Sequence, residues 1–171
     1  APQDARDVCV AVEYAAAEGI PVVGRGAGSG LAGESLCSGI VFDMARHMNR
    51  ILSVDDQALR VVCEPGVVLG QLNEYLAEFG RKIGPDPSSA NRATVGGCVA
   101  NNSTGAHWLE FGYIGDYVES IEAVLSDGTL VEFHNDLAPE HIQDPRVRFI
   151  ASESLLLISH NEHLIAKSLP R

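Results

Sequence analysis

Apolar residues recur first at a helical interval and then in short runs. Val8, Ala11, Val12, Ala15 and Ala16 share one side of a helix predicted over residues 5 to 18, with Asp4 placed to cap it and Gly19 to stop it. Ile20-Pro21-Val22-Val23 reads as a short buried strand. A glycine-rich loop follows at 24 to 33, and Ile40-Val41-Phe42-Asp43 reads as a second strand bounded by Gly39. Two further runs, Ile51 to Val54 and Leu59 to Val62, flank the polar turn Asp55-Asp56-Gln57. After Pro65-Gly66 the helical interval returns at Leu69, Leu72, Leu76 and Phe79, and Gly80 ends it.

From 84 to 107 the pattern changes. Gly, Pro, Ser, Asn and Thr dominate, which predicts a long polar surface, and only Val95, Cys98, Val99 and Ala100 are apolar enough for a short buried helix. Val118 to Phe133 predicts a hairpin turning at Asp127-Gly128, and 134 to 143 a loop. Asp144-Pro145 then opens a helix carrying Val147, Ile150, Ala151, Ser154, Leu157, Ile158 and Ile165 on one side, running towards Leu169-Pro170. No internal repeat is evident. At 171 residues the chain fits a single domain of two subdomains sharing a core, expected at about 1–80 and 81–171.

An apolar fraction of 46% argues against a disordered chain, and no apolar run approaches the roughly 18 residues of a membrane span. The net charge of -11 repels phosphate backbones and anionic lipid, so no nucleic-acid partner is expected. Cys9, Cys37, Cys63 and Cys98 are far apart, with no CxxC pair, and three of them lie in apolar stretches. They are expected to be reduced core residues. The chain starts without Met or a secretory signal, so an N-terminally trimmed protein in the cytoplasm is expected, with peripheral membrane attachment of its parent left open.

Gly28-Ser29-Gly30-Leu31-Ala32-Gly33 satisfies G-x-G-x-x-G after a strand, the fingerprint of a Rossmann dinucleotide fold. The spacing excludes that fold. A Rossmann loop opens a long helix, whereas Ile40 starts a new strand seven residues past Gly33. A glycine loop between strands can still hold a pyrophosphate, because residues without Cβ let consecutive N–H groups converge on an anion, and Arg25 could add a charge. A plain inter-strand turn is the alternative.

The loop does not stand alone. GRGAGSGLAG at 24–33, the strand ending at Asp43, Glu64-Pro65-Gly66-Val67, GPDPSS at 84–89, NRATVGG at 91–97, NNSTGAH at 101–107, Gly112 and VLSDGTLV at 124–131 occur in one order and spacing. Together they resemble the flavin domain of the vanillyl-alcohol oxidase and p-cresol methylhydroxylase (PCMH) superfamily, in its D-lactate dehydrogenase, glycolate oxidase and D-2-hydroxyglutarate dehydrogenase branch. The likeness covers about residues 2 to 133. Leu155 to Pro170, with Asn161, Leu164-Ile165-Ala166 and the terminal Pro170-Arg171, is similar to fused proteins that carry this domain ahead of an iron–sulfur module.

The resemblance implies an α+β, two-subdomain PCMH-type FAD-binding domain, with a small mixed α/β subdomain, an antiparallel sheet with helices, and a missing C-terminal part. It implies that Arg25, Gly26, Ala27, Gly28, Ser29 and Gly30 wrap the FAD pyrophosphate. Pro87, Ser88, Thr94, Gly96, Gly97, Asn102, Ser103 and Gly105 would run along the ribityl chain and the ring edge. Thr94, Ser88 and Asn102 can donate to phosphate, ribityl or ring oxygens. An Asx-rich turn is the alternative for Asn101 to Gly105. Covalent members carry a ring-bonding His where Ser29 stands, so noncovalent FAD is expected. His107 beside Trp108 is read as a packed residue before a proton donor. His160 and His163 are read as a solvated helix face, His47 and His134 as surface residues, and no metal site is expected.

Family members continue into a Gly-Ser-Glu-Gly-Thr motif, a final strand and a substrate domain. Here Ser152-Glu153-Ser154 is flanked by Ala151 and Leu155. The general base, the carboxylate-binding Arg and any metal would lie in those missing parts, so no catalytic residue is assigned and the fragment alone is expected to be inactive. The parent is expected to oxidise a 2-hydroxy acid by hydride transfer to FAD, with an iron–sulfur cluster as a candidate further cofactor. The alternatives are a sugar or lactone oxidase or an NAD(P)H-dependent reductase on the same domain, or a nucleotide-binding module without chemistry.

Overall fold

Asp4 caps α1 (Ala5–Glu18) by accepting the N–H of Asp7, and Gly19 ends the helix in the left-handed region at φ 64°. Val8, Val12 and Ala15 are its buried residues. In this computed structural model, which describes residues 1–135 and 138–169, the first strand starts two residues later than the sequence predicts. The N–H of Ile20 is taken by the carbonyl of Ala15 as part of the helix stop, and Pro21 has none to give. β1 is therefore Val22–Arg25. It pairs in parallel with β2 (Ile40–Asp43), from Val22 opposite Ile40 to Arg25 opposite Asp43.

β3 (Ile51–Asp55) and β4 (Arg60–Cys63) pair antiparallel, with a register irregularity between Ile51 and Ser53. Asp55 fixes their turn by accepting the N–H groups of Gln57 and Ala58. α2 (Leu69–Leu76) tightens into a 3-10 turn at Ala77–Phe79 and stops at Gly80, φ 68°. α3 (Val95–Ala100) and α4 (Trp108–Phe111) follow. α4 and the 3-10 turn Ile114–Tyr117 follow the polar stretch and are too short to show a helical period. β5 (Ser120–Val124) and β6 (Leu130–His134) form the expected hairpin, with Gly128 at φ 84°.

The chain forms two compact units. The first comprises Ala1–Val118 and Val124–Leu130, the second Glu119–Ala123 and the described residues from Val131 onwards. The first has three apolar clusters. Val8, Val12, Phe42 and Met48 make one, Val67, Leu72 and Leu76 another, and Leu69, Ala93, Cys98 and Ile114 the third. The third cluster draws on both sides of position 80. In the second unit the long helix is two: α5 (Pro145–His160) and α6 (Glu162–Ser168). The side-chain amide of Asn161 donates to the carbonyl of Leu157, a local bond that competes with the helical ladder. Of the predicted apolar side only Val147 is buried, while Leu157, Ile158 and Ile165 are exposed. The described parts of the 134–143 loop include a 3-10 turn at Pro139–His141. Asp136, Leu137 and the Pro170-Arg171 terminus lie outside the described residues.

All four cysteines are unpaired, with Cys98 buried and Cys9, Cys37 and Cys63 partly so. Burial, and then the charge of Glu64, push the Cys63 thiol up. Glu64 itself is buried and accepts three bonds from Arg50: backbone N–H at 2.7 Å, Nε at 3.1 Å and Nη2 at 2.6 Å. The side-chain bonds hold its carboxyl below the usual range against the opposing pull of burial. A carboxylate with a lowered folded value stabilises above its unfolded value and loses that contribution as pH falls through the folded one. Glu64→Gln is therefore expected to lower the melting temperature at neutral pH, with the gap to the wild type closing as pH drops below the carboxylate range. A gap independent of pH in a thermal-shift series would show that the charge of Glu64 carries no stability.

Candidate functional site

A parallel strand pair needs a crossover, and the usual one is a helix. Between β1 and β2 there is none: residues 26–39 are loop throughout, which removes the Rossmann reading on structural grounds. Ala27, Gly28, Ser29 and Gly30 are exposed, and none of their backbone N–H groups has a protein acceptor among the described residues. Gly28 sits at φ 65°, a turn that a side chain would strain. The Arg25 guanidinium lies against it, so that a Cβ on Gly28 would stand 3.2 Å from Nε. Arg25 has no ion-pair partner among the described residues. Four free N–H groups beside an unpaired guanidinium suit a phosphate-type anion.

The far end of the loop has the opposite sign. Glu34 folds back so that a Cβ on Gly30 would collide with its carboxylate, and it accepts the N–H of Ala32 at 3.1 Å. Its Oε1 also receives the amide of Asn101 at 3.4 Å, which ties the loop to the segment after α3. An anion is therefore favoured at the Arg25–Gly28 end and disfavoured near Gly30.

Thr94 is the second tie. It is buried, pairs with Val68 in an isolated bridge, and caps α3 with its hydroxyl on the N–H of Gly97 at 3.4 Å. Gly26 rests directly on that hydroxyl, leaving no room for a Cβ. Gly96 lies against Pro65, whose carbonyl accepts its N–H at 2.9 Å, and a Cβ on Gly97 would meet the Thr94 hydroxyl at 3.3 Å. The structure thus brings together the first loop, the Glu64-Pro65-Gly66-Val67 turn and the start of α3.

The remaining expected residues flank this centre. Asn102 adopts φ 44°, and its Oδ1 accepts the N–H of Gly115 at 3.0 Å, so its carbonyl oxygen serves the protein. The N–H of Ser103 donates to Cys98 O at 2.9 Å. Burial raises the Cys98 thiol, against a bond from the Ser103 side chain that lowers it. The Pro87 carbonyl accepts the N–H of Ala90, and Ser88 is exposed with no protein partner among the described residues. Gly105 packs on Asp86. Glu34 and Asp86 were not singled out by the sequence: their partners lie 67 and 21 positions away, beyond any local spacing.

The fit to a dinucleotide rests on these features: two glycine-lined segments meet at Gly26 and Thr94, and the exposed loop offers N–H donors and a cation. The FAD binding domain family matches residues 1–134. The chain belongs to that family. This FAD-binding domain is 37% identical over 134 residues to D-2-hydroxyglutarate dehydrogenase of Escherichia coli (strain K12), covering 77% of the chain and 13% of that protein. It is 31% identical over 159 residues to glycolate oxidase subunit GlcD of Bacillus subtilis (strain 168), covering 91% and 34%. Among solved structures, 6-hydroxy-D-nicotine oxidase from Arthrobacter nicotinovorans superposes with a TM-score of 0.71 at 27% identity, covering 81% of the chain and 30% of that one. The mixed helix and sheet architecture is that of PCMH-type FAD-binding domains. The chain spans between 13% and 34% of the length of the relatives named here. No helix among the described residues is long and apolar enough to cross a membrane, and no group of three or more His, Cys, Asp or Glu among them could hold a metal ion.

Proposed function

We propose that this FAD-binding domain serves a longer flavoenzyme that oxidises a 2-hydroxy acid of the D-2-hydroxyglutarate, D-lactate or glycolate class, with FAD held noncovalently. One observation carries the cofactor half of the reading: Gly26 seated on Thr94, which makes the exposed loop and the second glycine segment one surface. The substrate class is drawn from what the D-2-hydroxyglutarate dehydrogenase and glycolate oxidase relatives are named for. When bound, FAD supplies a two-electron acceptor. The chain's own share is binding. Arg25 and the N–H groups of Ala27, Gly28 and Ser29 would face the pyrophosphate, with Gly30 at the edge of the site beside Glu34. Thr94, Gly96, Gly97, Pro87, Ser88, Asn102, Ser103 and Gly105 would line the rest of the cofactor. Ser29 stands where covalent members carry a ring-bonding His, which supports noncovalent attachment.

Acid precipitation of the flavoprotein that carries this chain should leave all yellow colour in the supernatant. Under anaerobic conditions its flavin absorbance should bleach with a 2-hydroxy acid of this class. Flavin in the pellet would overturn the noncovalent attachment. Bleaching by an aldonolactone or NADPH and by no 2-hydroxy acid would overturn the substrate class.

A further inference from the structure

Asp86 stands between Pro85 and Pro87, and its carboxylate is turned onto the segment 101–107. Oδ1 accepts the backbone N–H of His107 at 3.1 Å, and Oδ2 lies 2.5 Å from Nδ1 of the same residue. Gly105 closes the remaining gap, since a Cβ there would run into the backbone carbonyl and the carboxylate of Asp86. The His107 ring meets Phe111 edge-on at 6.2 Å between centroids, Phe111 covers Gly84, and Lys82 Nζ sits 4.5 Å above the Phe111 ring. A single carboxylate thus joins two segments that hold proposed cofactor contacts, Pro87 and Ser88 on one and Asn102, Ser103 and Gly105 on the other.

As a stability device the pair is poor. The side chains of His107 and Asp86 are 64% and 38% exposed, and exposed ion pairs contribute little to folding. As a spacer it is well made. The bond to a main-chain N–H fixes where the second segment runs, and the ring bond fixes its direction. The His107 side-chain bond, and then its backbone bond, hold the Asp86 carboxyl below the usual range, so both oxygens stay acceptors for both donors.

We propose that Asp86 is a positioning residue for FAD, gripping His107 by main chain and ring so that segments 84–89 and 101–107 stand at their binding separation before the cofactor arrives. The inference rests on the cofactor reading above. Preorganisation of this kind acts on affinity, because a loose pair of loops must be ordered at the expense of binding.

The test is a fluorescence titration of FAD into the flavin-stripped protein that carries this chain, beside thermal unfolding of the apo form. Asp86→Ala should weaken FAD about tenfold or more, since it removes two charge-assisted bonds. His107→Ala keeps the main-chain bond and should lose about threefold to tenfold. His107→Asn is expected to bind within about twofold of the wild type, because its amide N–H can take the place of Nδ1–H. All three apo melting temperatures should stay close to the wild type. Wild-type affinity in Asp86→Ala, no recovery in His107→Asn, or a fall in apo stability parallel to the loss of affinity would each overturn the proposal. A wild-type protein that binds no FAD would instead remove the cofactor reading, and this inference with it.

Discussion

Gly26→Val is expected to abolish flavin binding: the variant should purify colourless and show no quenching in an FAD titration. A Cβ on Gly26 has the Thr94 hydroxyl in its place, and it would also stand 3.1 Å from Thr94 Cβ and 3.2 Å from Cγ2. Thr94 cannot give way. It is 3% exposed, its backbone bridges Val68, and its hydroxyl caps α3. Turning its side chain would break the cap on α3, and one of the two rotations would also bring the methyl group where the hydroxyl was. The loop must therefore lift off the second segment, which separates the phosphate-facing N–H groups from the residues proposed along the ribityl chain. Arg25→Ala should do far less: removing an exposed charge costs the fold under about half a kcal/mol, and affinity falls severalfold. In the Gly26→Ala background, Thr94→Ala should restore part of the binding by vacating the contested space. Normal FAD affinity in Gly26→Val would show that the two glycine segments bind independently.

Gly66→Ala should produce a large loss of stability in the first unit. The new carbon would stand 2.5 Å from the carbonyl oxygen of Met48 and 2.8 Å from Ala45 Cα, and would collide with the carbonyl of Met44. These are main-chain atoms, held in turn by the bond from the N–H of Gly66 to Met48 O at 2.7 Å. No rotamer change relieves such a contact, so the cost is expected at the upper end of overpacking, about 3 kcal/mol or more, a large part of a domain's usual margin. Chemical denaturation measures it directly. A midpoint within experimental error of the wild type would mean that the 44–48 turn is soft. Gly80→Ala provides the contrast: nothing lies within 4 Å of its Cβ, and only the left-handed backbone at φ 68° resists it.

Much of this was legible in the sequence because it is written in short-range chemistry. Asp4 and Gly19 bracket α1, Asp55 makes its turn, and Gly128 takes the positive φ that the hairpin requires. The strand starting at Ile40, only seven residues past Gly33, foretold a crossover without a helix. What could not be read was whatever two distant segments decide jointly. β1 slipped by two residues because Ile20 was claimed by the stop of α1. α4 forms on four residues whose apolar members are mostly exposed, so no stripe announces it. The predicted single C-terminal helix is two, α5 and α6, meeting at Asn161, whose side-chain amide donates to a carbonyl four residues back. The candidate site divides in the same way. The glycines stood out by type, but the meeting of Gly26 with Thr94, the turn of Glu34 towards Asn101 and the grip of Asp86 on His107 are long-range pairings that no spacing rule contains.

Because β1 and β2 run parallel without a helix between them, their pairing closes a bare chain across residues 26–39. Closure entropy grows only slowly with length, as (3/2)RT ln n, but here few internal bonds offset it: within the loop these are the N–H of Leu36 to Gly33 O, of Ala32 to Glu34 and of Gly39 to the sulfur of Cys37. An anion that gathers the idle N–H groups would stiffen the same stretch that the fold leaves loose. Ligand scarcity and proteolytic nicking then become two faces of one equilibrium. The flavin-free chain should be cut first between Gly26 and Gly39, and added FAD should lengthen the half-life of that cut.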